Sequence, residues 1–315
     1  MPLPAYSNLR SYALITVLTV FVVSDFNRSS AKQFFITLPW VILSVNGLLF
    51  LISQFTYSIM GYNLWYSLTL MRFSGLSLSP DYIALSMLIV PFLLLNSYFN
   101  GLVKHNKPVL FSYFFAICLT FYIGFKTDSD ALLISWILVF PIYCIHCLSF
   151  DNNNFFRRIK TKLSFLIFLI LSSVLFYALF NFQQANFLEG VLNIQADMPH
   201  RVILLKYSLT PLLDSILIGY GPGSFSGIEE SFSGYDSHNS YVEFSISTGV
   251  LGLLLLLYLL TPIISFLKKN NIHILAALIS MCIFAVAHNI FMHPIFFTFI
   301  AVAMCLNKKN IMGKL

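Results

Sequence analysis

One histidine and two arginines stand out in a chain with few charges: His238, followed at once by Asn239, and Arg201 and Arg72. An imidazole has its unperturbed pKa near neutrality, so His238 can accept a proton from an attacking hydroxyl. A guanidinium stays charged in any environment and meets phosphate oxygens with paired donors. Arg201 and Arg72 therefore suit both the holding of a phosphate and the stabilisation of one that leaves. Between Arg201 and His238 runs Gly219-Tyr220-Gly221-Pro222-Gly223-Ser224-Phe225, a turn whose Gly221 and Gly223 amides could approach a phosphate. His288, with Asn289, and His293 fall in a break between the last two apolar stretches, and ionisable groups at that depth are candidates to support the same site.

Each of these residues also has a plainer reading. His238 could be a surface histidine ahead of a helix capped by Ser237 or Asn239, the arginines interfacial cations reaching toward lipid phosphate, and the glycines a tight turn. Gly249 and Gly252 suit close helix packing better than contact with a substrate. Asp128-Ser129-Asp130 leaves two readings open: an acid-x-acid pair holding a divalent ion, or an aspartate capping the helix that follows. The very short loop favours the cap, and no metal is expected. Cys144-Ile145-His146-Cys147 reads as helix packing rather than a metal site. All five cysteines fall inside expected helices and offer no disulfide framework.

The elements that must position these residues are membrane helices. With 58% hydrophobic residues, 10% charged residues and a mean hydropathy of +0.83, the chain has too little polar surface for a soluble fold. Apolar runs near the bilayer-spanning length of about 20 residues occur at 34–53, 82–99, 109–125, 131–150, 163–182, 249–267 and 272–291. Shorter ones at 12–24 and 294–306 bring the expectation to nine spans, with eight as the nearest alternative. Thirteen of the eighteen Lys and Arg lie in alternating loops: Arg28/Lys32, Lys104/Lys107, Arg157 to Lys162, Lys268/Lys269 and the C-terminal tail. Cations retained on the cytoplasmic side put the C-terminus inside and the long polar segment 183–248 outside. Ten of the twelve acids then share the outer side. The basic balance follows from this bias and calls for no nucleic acid. The expected class is an all-α polytopic membrane protein, with N-terminal helices over 1–182, a large extracytoplasmic loop over 183–248 containing short helices, and C-terminal helices with a cytoplasmic tail over 249–315. Within the loop, apolar residues recur at helical spacing from 201 to 217, as in an amphipathic helix lying on a leaflet.

The combined spacing is more specific than any single residue. His238-Asn239, nine intervening residues, then Gly249-Val250-Leu251-Gly252 at the top of a span, with the glycine turn upstream and Arg201 before it, resembles the bacterial O-antigen ligase and O-antigen polymerase superfamily. Met71-Arg72-Phe73-Ser74-Gly75-Leu76 is similar to that superfamily's outer Arg-x-Ser-Gly segment. The resemblance covers 201–252 best and 72–84 more weakly. It implies transfer of a glycan from undecaprenyl diphosphate to a lipid A core or other glycan acceptor, at the periplasmic face of the bacterial cytoplasmic membrane, without metal or other cofactor. It further implies that His238 activates the acceptor, that Arg201 and Arg72 hold the diphosphate together with Gly221, Gly223 and Asn239, and that His288 and His293 stand behind them. Two departures matter: Ser129-Asp130 stands where relatives often carry Ser-Arg, and relatives usually have a few more spans before the Arg-x-Ser-Gly segment, so the core is shortened or the start truncated. A ligase is preferred over a polymerase, and a polysaccharide or lipid transporter is the alternative of another class. Sugar, acceptor and oligomeric state do not follow from these residues.

Overall fold

The computed structural model describes residues 17, 19–22, 24–59, 62–65, 72–77, 79–100, 106–149, 213, 215–221, 239–291 and 293–306. Among them lie seven helices: α1 (Arg28–Ser53), α2 (Pro80–Asn100), α3 (Lys107–Lys126), α4 (Asp130–Ser149), α5 (Ser240–Asn270), α6 (Ile272–Phe284) and α7 (Pro294–Leu306). Four of them, α1, α2, α3 and the first 26 residues of α5, are long and apolar enough to cross a membrane. Residues 19–22 and 24–25 are helical as well. The expected span at 163–182 and most of the loop 183–248, with Arg201, Gly223 and His238, lie outside the described residues.

Asparagines start many of these helices. Asn27, Asn106, Asn239 and Asn271 each accept a backbone N–H of the first turn of α1, α3, α5 and α6, which satisfies amides that would otherwise stand bare at a helix start. In α2 the hydroxyl of Ser79 accepts the Asp81 N–H at 3.3 Å, with Pro80 at the first helical position. Packing is centred on α2, which touches α1, α3, α4 and α6. Its apolar window is 83% buried, against 33–39% for the other three long helices. Those others bury one face and expose another, such as Val41, Val45 and Leu48 of α1 or Phe111 and Phe115 of α3, as helices at the rim of a bundle facing an apolar solvent do.

The helix ends sort by direction. α1, α3 and α6 begin at the end of the bundle where α2, α5 and α7 finish, as the residues gathered there show: Arg28, Asn100, Asn271 and Leu306 line one cavity. At the opposite end α2, α4, α5 and α7 begin.

Three boundaries differ from the hydropathy pattern. α1 begins at Arg28 rather than residue 34, with Asn27 capping its polar first turn. α5 begins at Ser240 rather than Gly249, because its polar first turns are capped by Asn239 and buried: Ser240, Glu243, Ser245 and Ser247 are all 5% exposed or less. α6 stops at Phe284 instead of running to 291, because the chain turns to present 285–291 to Ser240. A small element without a sequence signal also appears, a hairpin of β1 (Ser58–Ile59) and β2 (Tyr62–Asn63), extended by an antiparallel bridge from Trp65 to Phe73.

The most consequential local feature is a break in α5 at Gly249, where φ is 71° and ψ 178°. A helix interrupted there loses the bonds from 250 and 251 back to 246 and 247. Segment 215–221, itself turned out of helix at Gly219 (φ 72°), supplies replacements by exchange. Val250 N–H donates to Ile216 O at 2.7 Å and Leu251 N–H to Leu217 O at 3.4 Å. In return Tyr220 N–H donates to Ile246 O and Gly221 N–H to Ser247 O, both at 2.9 Å. Two chains that would each bond within themselves have traded partners, and buried backbone groups stay satisfied. The crossing brings backbone so close that a Cβ on Gly249 would overlap the Leu217 carbonyl and one on Gly219 the Ile246 carbonyl, whereas Gly221 has open space around it.

Replacing Gly249 or Gly219 by Ala should therefore lower the melting temperature of the purified protein sharply, by more than about 3 kcal/mol of stability, since overlap adds to a conformation nearly restricted to glycine. Gly221→Ala should cost only the positive-φ penalty of about 1–2 kcal/mol. Equal losses at all three positions would refute the exchange as drawn.

Candidate functional site

At the end of the bundle where α2, α4, α5 and α7 begin, four turns converge, and four of the expected site residues, Arg72, Asn239, His288 and His293, sit in them. Arg72 lies just before α2. Its neighbour Phe73 is fully buried, edge-on to Phe50 and Trp65 at centroid distances of 5.2 and 5.7 Å, and its N–H donates to Lys126 O at 2.6 Å. With the backbone pinned, the Arg72 side chain closes on two acceptors: Nε donates to Thr127 O at 2.9 Å and Nη2 to Asp81 Oδ1 at 3.3 Å. Asp81 is itself held, because Ser79 Oγ donates to its Oδ2 at 3.1 Å.

His288 approaches the same carboxylate from the turn between α6 and α7, with Nδ1 3.7 Å from Asp81 Oδ2. Its ring stacks on Phe284 at 4.5 Å and its carbonyl accepts the Ser240 hydroxyl at 2.6 Å. Ser240 is the fastener of this region. Its N–H donates to Ala285 O, and its Oγ receives Ile290 N–H at 2.6 Å, so the start of α5 is tied to the turn that carries both histidines. Asn239, directly after His238, is the cap of α5, its Oδ1 accepting Tyr241 and Val242 N–H at 3.0 and 3.2 Å. Structure thus gives Asn239 a backbone task at the head of the helix.

His293 starts α7. Its Nδ1 accepts Ile295 N–H at 3.2 Å, and its ring packs 4.9 Å from Tyr82. Burial pushes its pKa below the usual 6.5, which keeps the ring neutral and able to accept that bond. Gly221 uses its amide on Ser247 O, so that N–H is already paired within the protein. Arg201, Gly223 and His238 lie outside the described residues. What the bundle brings together is therefore Arg72, Asp81 and His288, with Asn239 and His293 on the flanking helix starts.

The tight turn between α3 and α4 resolves Asp128-Ser129-Asp130 as helix-start geometry. Asp128 adopts a φ of 52°, the Ser129 carbonyl accepts Leu132 N–H, and Asp130 stands in the first turn of α4, where a carboxylate is favoured by the helix dipole. Among the described residues no three His, Cys, Asp or Glu side chains gather as a metal-holding group.

Two acids were not singled out by sequence reasoning. Asp81 stands in the first turn of α2, and its pairing with Arg72 depends on a loop whose path is tertiary. Glu243 is 1% exposed in the first turn of α5. Its signal was present, since it is the lone charge between Asn239 and Lys268.

The Arg72 and Asp81 side chains are 21% and 29% exposed, so their attraction is partly shielded from water. A double-mutant cycle with Arg72→Ala and Asp81→Ala should give a coupling of about 1 kcal/mol in stability; strict additivity would show the pair to be incidental. For His293, the unfolded chain binds a proton that the folded one refuses, so stability should fall as pH drops below about 6.5. Melting temperatures between pH 8 and 5 should show that decline in the wild type and a flatter profile in His293→Gln. Compared with protein-family models, with curated proteins and with solved structures, the chain finds no match in any of the three.

Proposed function

We propose that the protein is a polytopic membrane glycosyltransferase of the O-antigen ligase kind, working from an undecaprenyl diphosphate-linked glycan at the periplasmic face of the bacterial cytoplasmic membrane. The observation that carries this reading is the fixed Arg72. A guanidinium oriented by a carbonyl and a carboxylate, at the bundle end where Asn239, next to His238 in sequence, caps α5, is a preorganised partner for phosphate oxygens. Along the helices, a mostly apolar cavity of about 260 Å³ runs between α1, α2 and α7, lined by Phe34, Leu38, Ile42, Ile89 and Ile295. Its Pro294 rim adjoins His293, and its chemistry suits a prenyl tail.

In the reaction, an acceptor hydroxyl attacks the anomeric carbon of the donor sugar and gives up its proton to His238. The bond from that carbon to the diphosphate oxygen breaks, and the electron pair leaves with undecaprenyl diphosphate, whose growing charge Arg201 and Arg72 stabilise. No metal is required for that neutralisation. Asp81 orients Arg72, and His288 shares the same carboxylate from behind.

Transport has one structural argument in its favour, because interrupted helices are the usual building blocks of transporter sites. In those sites the freed helix ends coordinate the cargo. Here the break at Gly249 spends its carbonyls and amides on segment 215–221, which leaves the enzymatic reading ahead.

Purified protein in liposomes, with labelled lipid-linked glycan and a candidate lipid acceptor, separates the readings. Label passing to the acceptor marks a ligase, and longer chains still on undecaprenyl mark a polymerase. His238→Ala should lower the rate by about 10²–10⁴-fold, the usual worth of a general base, while membrane insertion is retained. Arg72→Lys should lose activity as well, since an ammonium lacks the planar fork. Full activity of His238→Ala would overturn the assignment.

A further inference from the structure

The opposite end of the bundle holds a second polar site that the transfer reaction does not use. A cavity of about 220 Å³ opens between the starts of α1 and α6 and the ends of α2 and α7. Arg28 and Lys32, one turn apart on α1, stand on its wall, and Asn96, Asn100 and Asn271 line its interior, with Phe35 as apolar floor.

Three features make this pocket selective for an anion. First, among the described residues its lining contains two cations and no carboxylate. Second, the asparagine network offers donors rather than acceptors. Asn96, 3% exposed, has its Oδ1 occupied by Asn271 Nδ2 at 2.7 Å and Asn100 Nδ2 at 3.0 Å. The Asn271 oxygen is likewise spent on Ile274 N–H, so most of the remaining capacity of the three side chains is N–H. Third, the helix starts at the pocket carry no acid: α1, α3 and α6, which begin at this end, have none in their first turns, nor has α7 at the other end, whereas α2, α4 and α5 carry Asp81, Asp130 and Glu243 there. Arg28 and Lys32 stand in the first turns of α1, beside the positive end of its dipole, while the ends of α2 and α7 bring negative dipole ends to the same cavity. An anion between Arg28 and Lys32 would relieve the repulsion of the two cations.

We infer that the pocket framed by Arg28, Lys32, Asn96, Asn100 and Asn271 is a phosphate-binding site at the membrane interface, of the kind basic clefts between transmembrane helices form for lipid headgroups. The phosphate meets the cations at the mouth and the amide donors within, and the apolar floor meets the start of an acyl chain. Its place, across the bundle from Arg72, makes it independent of the transfer chemistry.

The test uses the full chain purified in a neutral detergent, read by thermal melting and by native mass spectrometry. The probes are micelles doped with phosphatidylglycerol, micelles doped with phosphatidylcholine, and inorganic phosphate. Phosphatidylglycerol should raise the melting temperature and remain bound, and phosphatidylcholine should do so less. Protection by inorganic phosphate at millimolar concentration would assign the site to a free phosphate instead of a headgroup. The double substitution Arg28→Gln with Lys32→Gln should weaken the response roughly tenfold or more. Asn100→Asp, at an exposed helix end, places a carboxylate in the pocket at the cost of one hydrogen bond within α2, to Asn96, and should abolish the response in a protein that still folds. An equal response of wild type and Asn100→Asp to phosphatidylglycerol, or none in the wild type to any probe, overturns the proposal. Glycan transfer by the same variants should be unaffected.

Discussion

A backbone surrounded by hydrocarbon must satisfy its own hydrogen bonds, and that constraint decides how the polar machinery of this protein can exist inside an apolar bundle. α5 is the helix where it bites hardest. It begins in the region of the candidate site, with Asn239 and Ser240 committed to backbone partners, and it breaks two and a half turns later. The break is tolerated because segment 215–221 returns every bond that the break removes. Without that trade, the helix capped by Asn239 could not also be bent at Gly249.

The candidate site follows the same logic of borrowed rigidity. None of its side chains sits in the middle of a long helix. Arg72 is fixed by a buried phenylalanine beside it and by the last carbonyls of α3, and His288 by a hydroxyl at the head of α5. Turns at bundle ends have room for polar groups, while α2 at the centre supplies the fixed frame to which they are tied. Mid-bundle polar contacts do occur, such as Ser97 with Tyr113 at 2.8 Å and Tyr143 with His273 at 2.6 Å, but these join helices and leave no open surface.

Hydropathy made α2 to α4 legible in the sequence to within two residues, and α1 except for its polar first six residues, because length and apolarity are what a bilayer selects. It failed at α5 and α6 for opposite reasons. The first turns of α5 are polar in sequence yet buried by tertiary packing, and the last apolar residues of the expected sixth helix, Ile290 and Phe291, leave helical geometry to meet Ser240. At the candidate site, Arg72, His288 and His293 could be singled out as ionisable groups in an apolar chain. Their convergence on Asp81 could not, since it depends on the path of the loop before α2. The glycines at 219 and 249 were visible as glycines, and the exchange they permit was hidden, because it pairs residues 26 and 34 positions apart.

The trade at Gly219 and Gly249 also bears on how the chain reaches this state. The number of backbone bonds is the same before and after it: Ile246 can hold Val250 within one unbroken helix, just as Ile216 can hold Tyr220, or each can take the other's donor. A nascent α5 can therefore enter the bilayer as a continuous rod with nothing bare, long before its partner segment is in place. Crossing then becomes a late rearrangement that substitutes one set of partners for another, so assembly need not pass through a stage with exposed amides in hydrocarbon.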